Sequence, residues 1–447
     1  HLVLNGLENV TVQGVPEKTV LLFTHPDKAA IGLFGTRNTA LKDLVVDYEP
    51  LPFTQGTVVA VDPEHDAFDW QPDAGYRLPD SSFPVAGAMG VIVDRARRAL
   101  KAGVPDYAFI QSAVPLSDGR WRLTFDASTA DRARTMAPGD AFVLLARLPG
   151  GTIEFNNASG GGIDGVAIHS SPGLSVLLNG CRDRIEVRGL RIVFKPGSDR
   201  LIASDGDGVH CGQNRKGPLI EHCLFEGLCD DGVNIYCTPA RLEKALPEEN
   251  ALLLSNAGHW QPGDRIEFFD LTEGRILAEI PIVKLESAAD GRIKAAFAAL
   301  PALTGREVHL YNLSAAGEDY IIRDNQFRNH RRHGLNLRAR GGLIECNRFI
   351  DQGGFGINIT NEPGWPEGPT PANLVIRDNY FSGGGQGAGY GGSEASASLR
   401  VMALKNSWLA APIVDGVEIS GNEFVRTPGS AIFLGAVRHA TLRGNRA

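Results

Sequence analysis

Asp207, Asp230 and Asp231 are the residues whose types and spacing best suit chemistry. Asp207-Gly208-Val209-His210 and Asp231-Gly232-Val233-Asn234 are two copies of one phrase set 24 residues apart, and Asp230 precedes the second copy directly. Carboxylates crowded together cannot all ionise cheaply, so at least one keeps its proton above the ordinary range. The labour then divides between a proton-bearing acid and one or two ionised bases that can hold a water. Inverting cleavage of a glycosidic bond needs such a set, with the carboxyls ~6.5–9.5 Å apart.

Bringing these residues together is the task of a repeat. The phrase returns as His333-Gly334-Leu335-Asn336-Leu337 and, 22 residues on, as Phe355-Gly356-Ile357-Asn358-Ile359. Recurrence at 22 to 24 residues predicts one turn of a solenoid whose equivalent positions stack in columns. Coils of parallel strands lie ~4.8 Å apart, so Asp207, Asp231 and His333 share a column with Asp230 beside it. Neighbours on a strand point to opposite faces, so Asp230 joins Asp231 only if the chain bends there; Gly227 and Gly232 allow it. Asp164-Gly165-Val166 carries the same phrase and reads as a structural turn.

A second phrase, apolar-x-x-Asn-x-Phe, recurs at Asn325/Phe327, Asn347/Phe349, Asn379/Phe381 and Asn422/Phe424, with Cys223/Phe225 as a variant. It predicts asparagines bonding backbone groups of neighbouring coils and phenylalanines stacked inside. The expected class is all-β: a right-handed parallel β-helix, with solenoid segments at 1–50, 149–237 and 316–447. The rhythm is lost over 51–148 and 238–315. Each interruption carries Pro-Gly-Asp before a strand (Pro138-Gly139-Asp140 and Pro262-Gly263-Asp264), which predicts two small antiparallel, barrel-like β modules. Helical periodicity is expected only over 91–103 and 130–136, and the glycine-rich stretch 382–398 reads as a mobile loop.

Composition narrows the function. The 447 residues carry a net charge of -8, which argues against a nucleic-acid surface. No apolar run reaches the ~20 residues of a membrane span. The six cysteines form no CxxC pair, so buried thiols rather than zinc are expected, and no metal or other cofactor is called for. Both ends read as mid-coil, which suggests a trimmed chain, a removed leader, and a secreted or periplasmic location.

Asp207-Gly208, Asp230-Asp231 and His333-Gly334, in that order and register, resemble the motifs of the polygalacturonase-like β-helix glycosidases. There are departures: Asp205-Gly206-Asp207 stands for Asn-Thr-Asp, Arg332 precedes His333-Gly334, and no Arg-Ile-Lys follows. Two inserted β modules, with one aspartate 23 residues before an aspartate pair, are more similar to glycoside hydrolase family 110, the inverting exo-α-1,3-galactosidases. That resemblance implies Asp230 as general acid, Asp207 and Asp231 as water-holding bases, and a glycan ending in α-galactose as substrate.

Sugar contacts are expected from His210, Asn234, Asn336 and Asn358, which follow the column by three residues, and from His333 itself. Asn214, Arg215 and Lys216 lie on the turn between the aspartate coils. Arg338, and Glu362 and Trp365 on a protruding proline-rich loop, complete the candidates. A homodimer is a further expectation. The alternatives are a polygalacturonase-like endo-hydrolase, a lyase or epimerase with a cationic base, and a non-catalytic carbohydrate-binding β-helix.

Overall fold

The structure is a computed structural model and describes every residue except 289, 391–395, 407 and 428. Its solenoid consists, among the described residues, of three parallel sheets of ten, ten and nine strands. One complete coil shows the plan: Val209–Gly212, Leu219–Glu221 and Leu224–Glu226 contribute one strand to each sheet.

Two ladders hold successive coils in register. Phe225, Phe327, Phe349, Phe381 and Phe424 stack nearly parallel with centroids 4.7 to 5.1 Å apart. Beside them, Asn325 Nδ2 donates to Asn347 Oδ1 and Asn347 Nδ2 to Asn379 Oδ1, while each acceptor also takes a backbone N–H. The column glycines exist for this packing. A Cβ on Gly208 or Gly232 would lie 2.4 Å from the next coil's carbonyl oxygen and within 2.7 Å of a stacked phenylalanine. The X-Gly and Asn-x-Phe phrases are therefore two sides of one corner.

The interruptions leave from opposite corners of one sheet. The first departs after Val45–Tyr48 in the third sheet and returns at Gly151–Asn156 in the first, through the corner that carries Asp207 and Asp230-Asp231 in later coils. The second departs after Val233–Tyr236 in the first sheet and rejoins at Ile321–Arg323 in the second. Coil pairing is undisturbed: Val233 pairs with Leu335 and Ile220 with Ile322 across the insertion.

The first insertion is antiparallel and closes on itself, because Met89–Asp94 pairs with both Ala108–Pro115 and Ala141–Leu145. The second is a six-stranded antiparallel sheet whose ends meet through the Ala240–Leu310 bridge. The helix expected over 91–103 is a strand instead. Val91 and Val93 face one apolar cluster and Ile92 another, a two-residue period. Asp94 Oδ1 then accepts the Ala96 and Arg97 N–H groups to form a turn. Ala127–Thr135, near the other expected helix, is 3₁₀. Within 382–398, residues 391–395 lie outside the described ones, so the expected mobile loop is covered only in part. No described helix is long and apolar enough to cross a membrane.

Candidate active site

The column carboxylates are wired into the solenoid backbone. Asp207 Oδ1 accepts the Asp231 N–H at 3.0 Å, and Asp231 Oδ1 accepts the His333 N–H at 3.0 Å. His333 Nδ1 then accepts the Phe355 N–H at 2.9 Å. The outer oxygens meet different coils: Asp207 Oδ2 faces His210 Nδ1 of its own coil at 2.6 Å, and Asp231 Oδ2 accepts from Asn336 Nδ2 of the following coil at 2.7 Å. Asp230 sits in the bend before the strand Val233–Tyr236, after Gly227 at φ +67°, and so joins its neighbour in one site.

All three aspartates are buried, and one oxygen from each lies within 4.8 Å of the others. Stacking of adjacent coils sets this closest approach of single oxygens, which is a different measure from the ~6.5–9.5 Å between whole carboxyl groups associated with inversion. The trio is the one group of His, Cys, Asp and Glu among the described residues whose spacing could converge on a cation. Positive charge comes instead from guanidiniums. Arg147 contacts Asp230 Oδ2, while Arg331 Nη2 and Arg332 Nη1 lie 3.0 and 3.7 Å from Oδ1.

These surroundings separate the protonation of the pair. Burial alone would raise Asp230, but Arg331, Arg147 and Arg332 outweigh it and hold that carboxyl well below the carboxylate range. Asp231 is pushed up to about 7, by burial first and then by the charges of Asp230 and Asp207, against the opposing pull of Arg332 and the Asn336 hydrogen bond. Near neutrality Asp230 therefore carries a full charge, while Asp231 is close to half-protonated. His210 is raised because the Asp207 hydrogen bond and charge overcome its burial.

The trio opens into a cavity of ≈ 580 Å³ lying along the outer face of the first sheet. Its floor includes His210, Asn234 and Asn336, stacked in register. On one side stand Met89, Asp106, Tyr107 and Phe109 from the first module. On the other, the loop after Ile357–Ile359 brings Glu362, Trp365 and Glu367. Arg338 pairs with both glutamates and donates to Asn234 Oδ1 at 3.1 Å. Trp365 Nε1 donates to Glu367 Oε1 at 2.8 Å and leaves its ring 66% exposed.

Five expected sugar contacts, Asn214, Arg215, Lys216, His333 and Asn358, do not line this cavity. Asn214 is buried in the turn, where its oxygen accepts the Cys181 N–H and its amide donates to the Leu178 carbonyl. Lys216 points to the surface and pairs with Asp319. His333 lies behind the wall, its ring 5.1 Å from Phe355 and edge-on to Tyr390. Burial and the Arg332 charge hold it neutral, and it serves as a backbone acceptor in the role that Asp207 and Asp231 fill one oxygen at a time. Arg215 pairs with Asp264 of the second module.

Sequence reasoning passed over Arg147, Arg331, Arg332, Asp106, Glu367 and Tyr390. One signal was available: Arg332 precedes its column residue just as Asp230 precedes Asp231. Asp106 and Tyr107 lie in a module without a repeat, so nothing in their spacing marks them.

A model of the right-handed β-helix region matches residues 311–447. The chain is similar to alpha-1,3-galactosidase B of Akkermansia muciniphila, 24% identical over 406 residues covering 85% of this chain and 49% of the relative. Alpha-1,3-galactosidase B of Bacteroides fragilis is 24% identical over 419 residues, covering 85% and 67%. Alpha-1,3-galactosidase A of Shewanella woodyi is 22% identical over 272 residues, covering 59% and 43%. The chain thus spans about half the length of the Akkermansia relative. Among solved structures, an exopolygalacturonase of Thermotoga maritima aligns over 99% of this chain and 84% of its own at 10% identity, with a TM-score of 0.27.

Proposed function

We propose that the chain is a glycoside hydrolase that removes terminal α-1,3-linked galactose, with inversion and by direct attack of water. The observation that carries the reading is the trio itself: buried carboxyls opening on one cavity, with neighbouring members shifted in opposite directions. Titratable neighbours pushed apart in this way are how acid and base roles are divided at neutral pH. The galactosidase names of the relatives supply the substrate. Walls on two sides suit removal of a terminal sugar better than an open groove does. Glu362 and Glu367 beside the sugar floor suit a neutral, hydroxyl-rich ligand and would repel a uronate carboxylate.

Asp231 has the raised carboxyl, but the hydrogen bonding of the trio favours Asp230 as the acid. Asp231 is the carboxyl pushed up to about 7, yet both its oxygens are engaged, one by a backbone N–H and one by Asn336. Asp207 is tied in the same way. Such fixed acceptors suit holding a water. Asp230 is held by side chains alone, so it is the member able to turn toward a leaving-group oxygen. We therefore keep Asp230 as acid: for this role the proton held at Asp231 passes to Asp230 and leaves Asp231 ionised beside the water.

The test is hydrolysis of Galα1-3Gal, a branched B-type trisaccharide, para-nitrophenyl α-galactoside and polygalacturonate by wild type and the Asp→Asn variants. Free galactose from the α-1,3 substrates, appearing first as the β-anomer by NMR, supports the reading. First release of the α-anomer removes inversion. Cleavage of polygalacturonate alone moves the chain to a uronan endo-hydrolase.

A further inference from the structure

Arg147 stands where the first module hands the chain back to the solenoid, between Ala141–Leu145 and Gly151–Asn156. Its backbone is left-handed at φ +43°, a conformation that costs a side-chain-bearing residue free energy and persists only when its surroundings impose it. Asp205 imposes it. Asp205 Oδ2 accepts the Arg147 N–H at 3.0 Å, and the Asp205 carbonyl accepts from Arg147 Nη1 at 3.1 Å. Asp205 is 0% exposed, and burial raises its carboxyl to about 8, so near neutrality it acts as an uncharged acceptor.

From this anchorage Arg147 Nη2 reaches Asp230 Oδ2. Among the described residues that contact is the one hydrogen bond into the Asp230 carboxylate. Oδ1 sees Arg331 and Arg332 as charges but takes no hydrogen bond from either. Arg331 is committed elsewhere, to Asp106 at 2.7 Å and to the Cys229 carbonyl. Arg332 Nε donates to the Tyr390 hydroxyl at 3.2 Å. Direction therefore comes to Asp230 from Arg147 alone, while charge comes from all three guanidiniums. The other charged or titratable groups facing the cluster include Asp207, Asp231, His210, His333 and the buried Cys229 thiol.

We infer that Arg147 is a positioning residue of the reaction: anchored by Asp205, it aims the Asp230 carboxyl at the leaving-group oxygen and balances its charge. This rests on the glycosidase reading above. A residue that aims an acid matters in proportion to how much the leaving group needs protonation, a dependence that a purely structural residue does not show.

The experiment compares Arg147→Ala, Arg147→Lys, Asp205→Ala and Asp205→Asn with wild type on Galα1-3Gal and on an activated dinitrophenyl α-galactoside. Arg147→Ala should lower kcat on the disaccharide about 100-fold, the scale of a misplaced catalytic group, and on the activated substrate by about threefold or less. Its alkaline limb in kcat/KM should move up by about one pH unit, since loss of a nearby cation favours the protonated trio. Arg147→Lys should restore the limb but not the rate, because an ammonium lacks the planar fork. Asp205→Asn should resemble wild type at pH 7 by preserving a neutral acceptor, and Asp205→Ala should share the disaccharide defect. Equal losses on both substrates, or an unmoved alkaline limb in Arg147→Ala, would overturn the inference.

If wild type cleaves neither galactoside, the glycosidase reading fails and the aiming role falls with it. The charge-balancing half is then judged by Tm from pH 5 to 9. Asp231 is raised in the folded chain, so its stabilisation is lost as pH rises toward 7. In Arg147→Ala that loss should shift upward by about one unit; parallel Tm curves would overturn this half too.

Discussion

The two inserted modules begin from the same materials and end in different work. Each interrupts a coil, contains Pro-Gly-Asp and folds as an antiparallel sheet around its own apolar cluster. The first leaves the solenoid at the corner that carries the aspartates. It delivers Asp106, Tyr107, Phe109 and Arg147 to the cavity. The second leaves from the opposite corner, and none of its described residues lines that cavity. Its Glu267, buried, pairs with Arg340 and accepts the Thr370 N–H at 3.0 Å. Arg340 in turn donates to the Thr370 carbonyl at 2.9 Å. Thr370 closes the loop that presents Glu362, Trp365 and Glu367, so the second module buttresses the site from behind. The exit corner, rather than the module's own sequence, decides which role an insertion takes.

Substitutions that separate chemistry from support sharpen this comparison. The largest effect belongs to neither module. Asp230→Asn in the solenoid should lower kcat on Galα1-3Gal about 1,000-fold or more, within the range of a lost general acid. With an activated aryl galactoside the deficit should largely vanish, as measured by initial rates. If Asp231→Asn shows that rescue instead, the acid is misassigned.

Next comes the first module. Asp106 orients Arg331 at 2.7 Å and accepts the Tyr390 hydroxyl at 2.9 Å. Asp106→Ala leaves a buried arginine without that partner, so kcat/KM should fall about tenfold or more, on the scale of a lost charge-assisted bond. Little change there would demote the module to a passive wall.

In the second module, Glu267→Gln should cost about 3 kcal/mol of stability, because it removes one partner of a buried pair. Thermal unfolding would register this, while kcat stays within about threefold of wild type. A loss of kcat matching that of Asp106→Ala would erase the contrast between the modules. The exposed Arg265–Glu318 pair, at that module's edge, should matter least: Arg265→Ala should change stability by about 0–1 kcal/mol.

The pH profile bears on the solenoid alone. Asp231 titrates near 7 because its surroundings favour the protonated form. The kcat/KM of the free enzyme should therefore decline as pH rises through 7. A flat profile to pH 9 would place the required proton elsewhere.

The column of Asp207, Asp231 and His333 was legible because stacking copies a sequence period directly into space. The same logic found the Asn and Phe ladders and the register of His210, Asn234 and Asn336. It failed where a residue's neighbours are not periodic. His333 shares the column, but an imidazole turned inward between Phe355 and Tyr390 reads as a ligand only until its packing is seen. Asn214 likewise looked exposed on a turn, yet it satisfies two backbone groups of the coil below. The helical reading of 91–103 was misled by arginines in a turn, where their spacing imitated an amphipathic face.

The sequence by itself determined the solenoid, the places where it is interrupted and the meeting of three carboxylates at one corner, because each follows from a repeat that hydrogen bonding and stacking hold in register. Only the tertiary structure decided what those carboxylates carry. Asp230 and Asp231 are adjacent and chemically identical, and they differ because Arg147, Arg331 and Arg332 converge on the first while burial and its neighbours' charges act on the second. Those arginines reach it from residues 83, 101 and 102 positions away in the chain. Charge acts through space, and no spacing in the sequence records that distance.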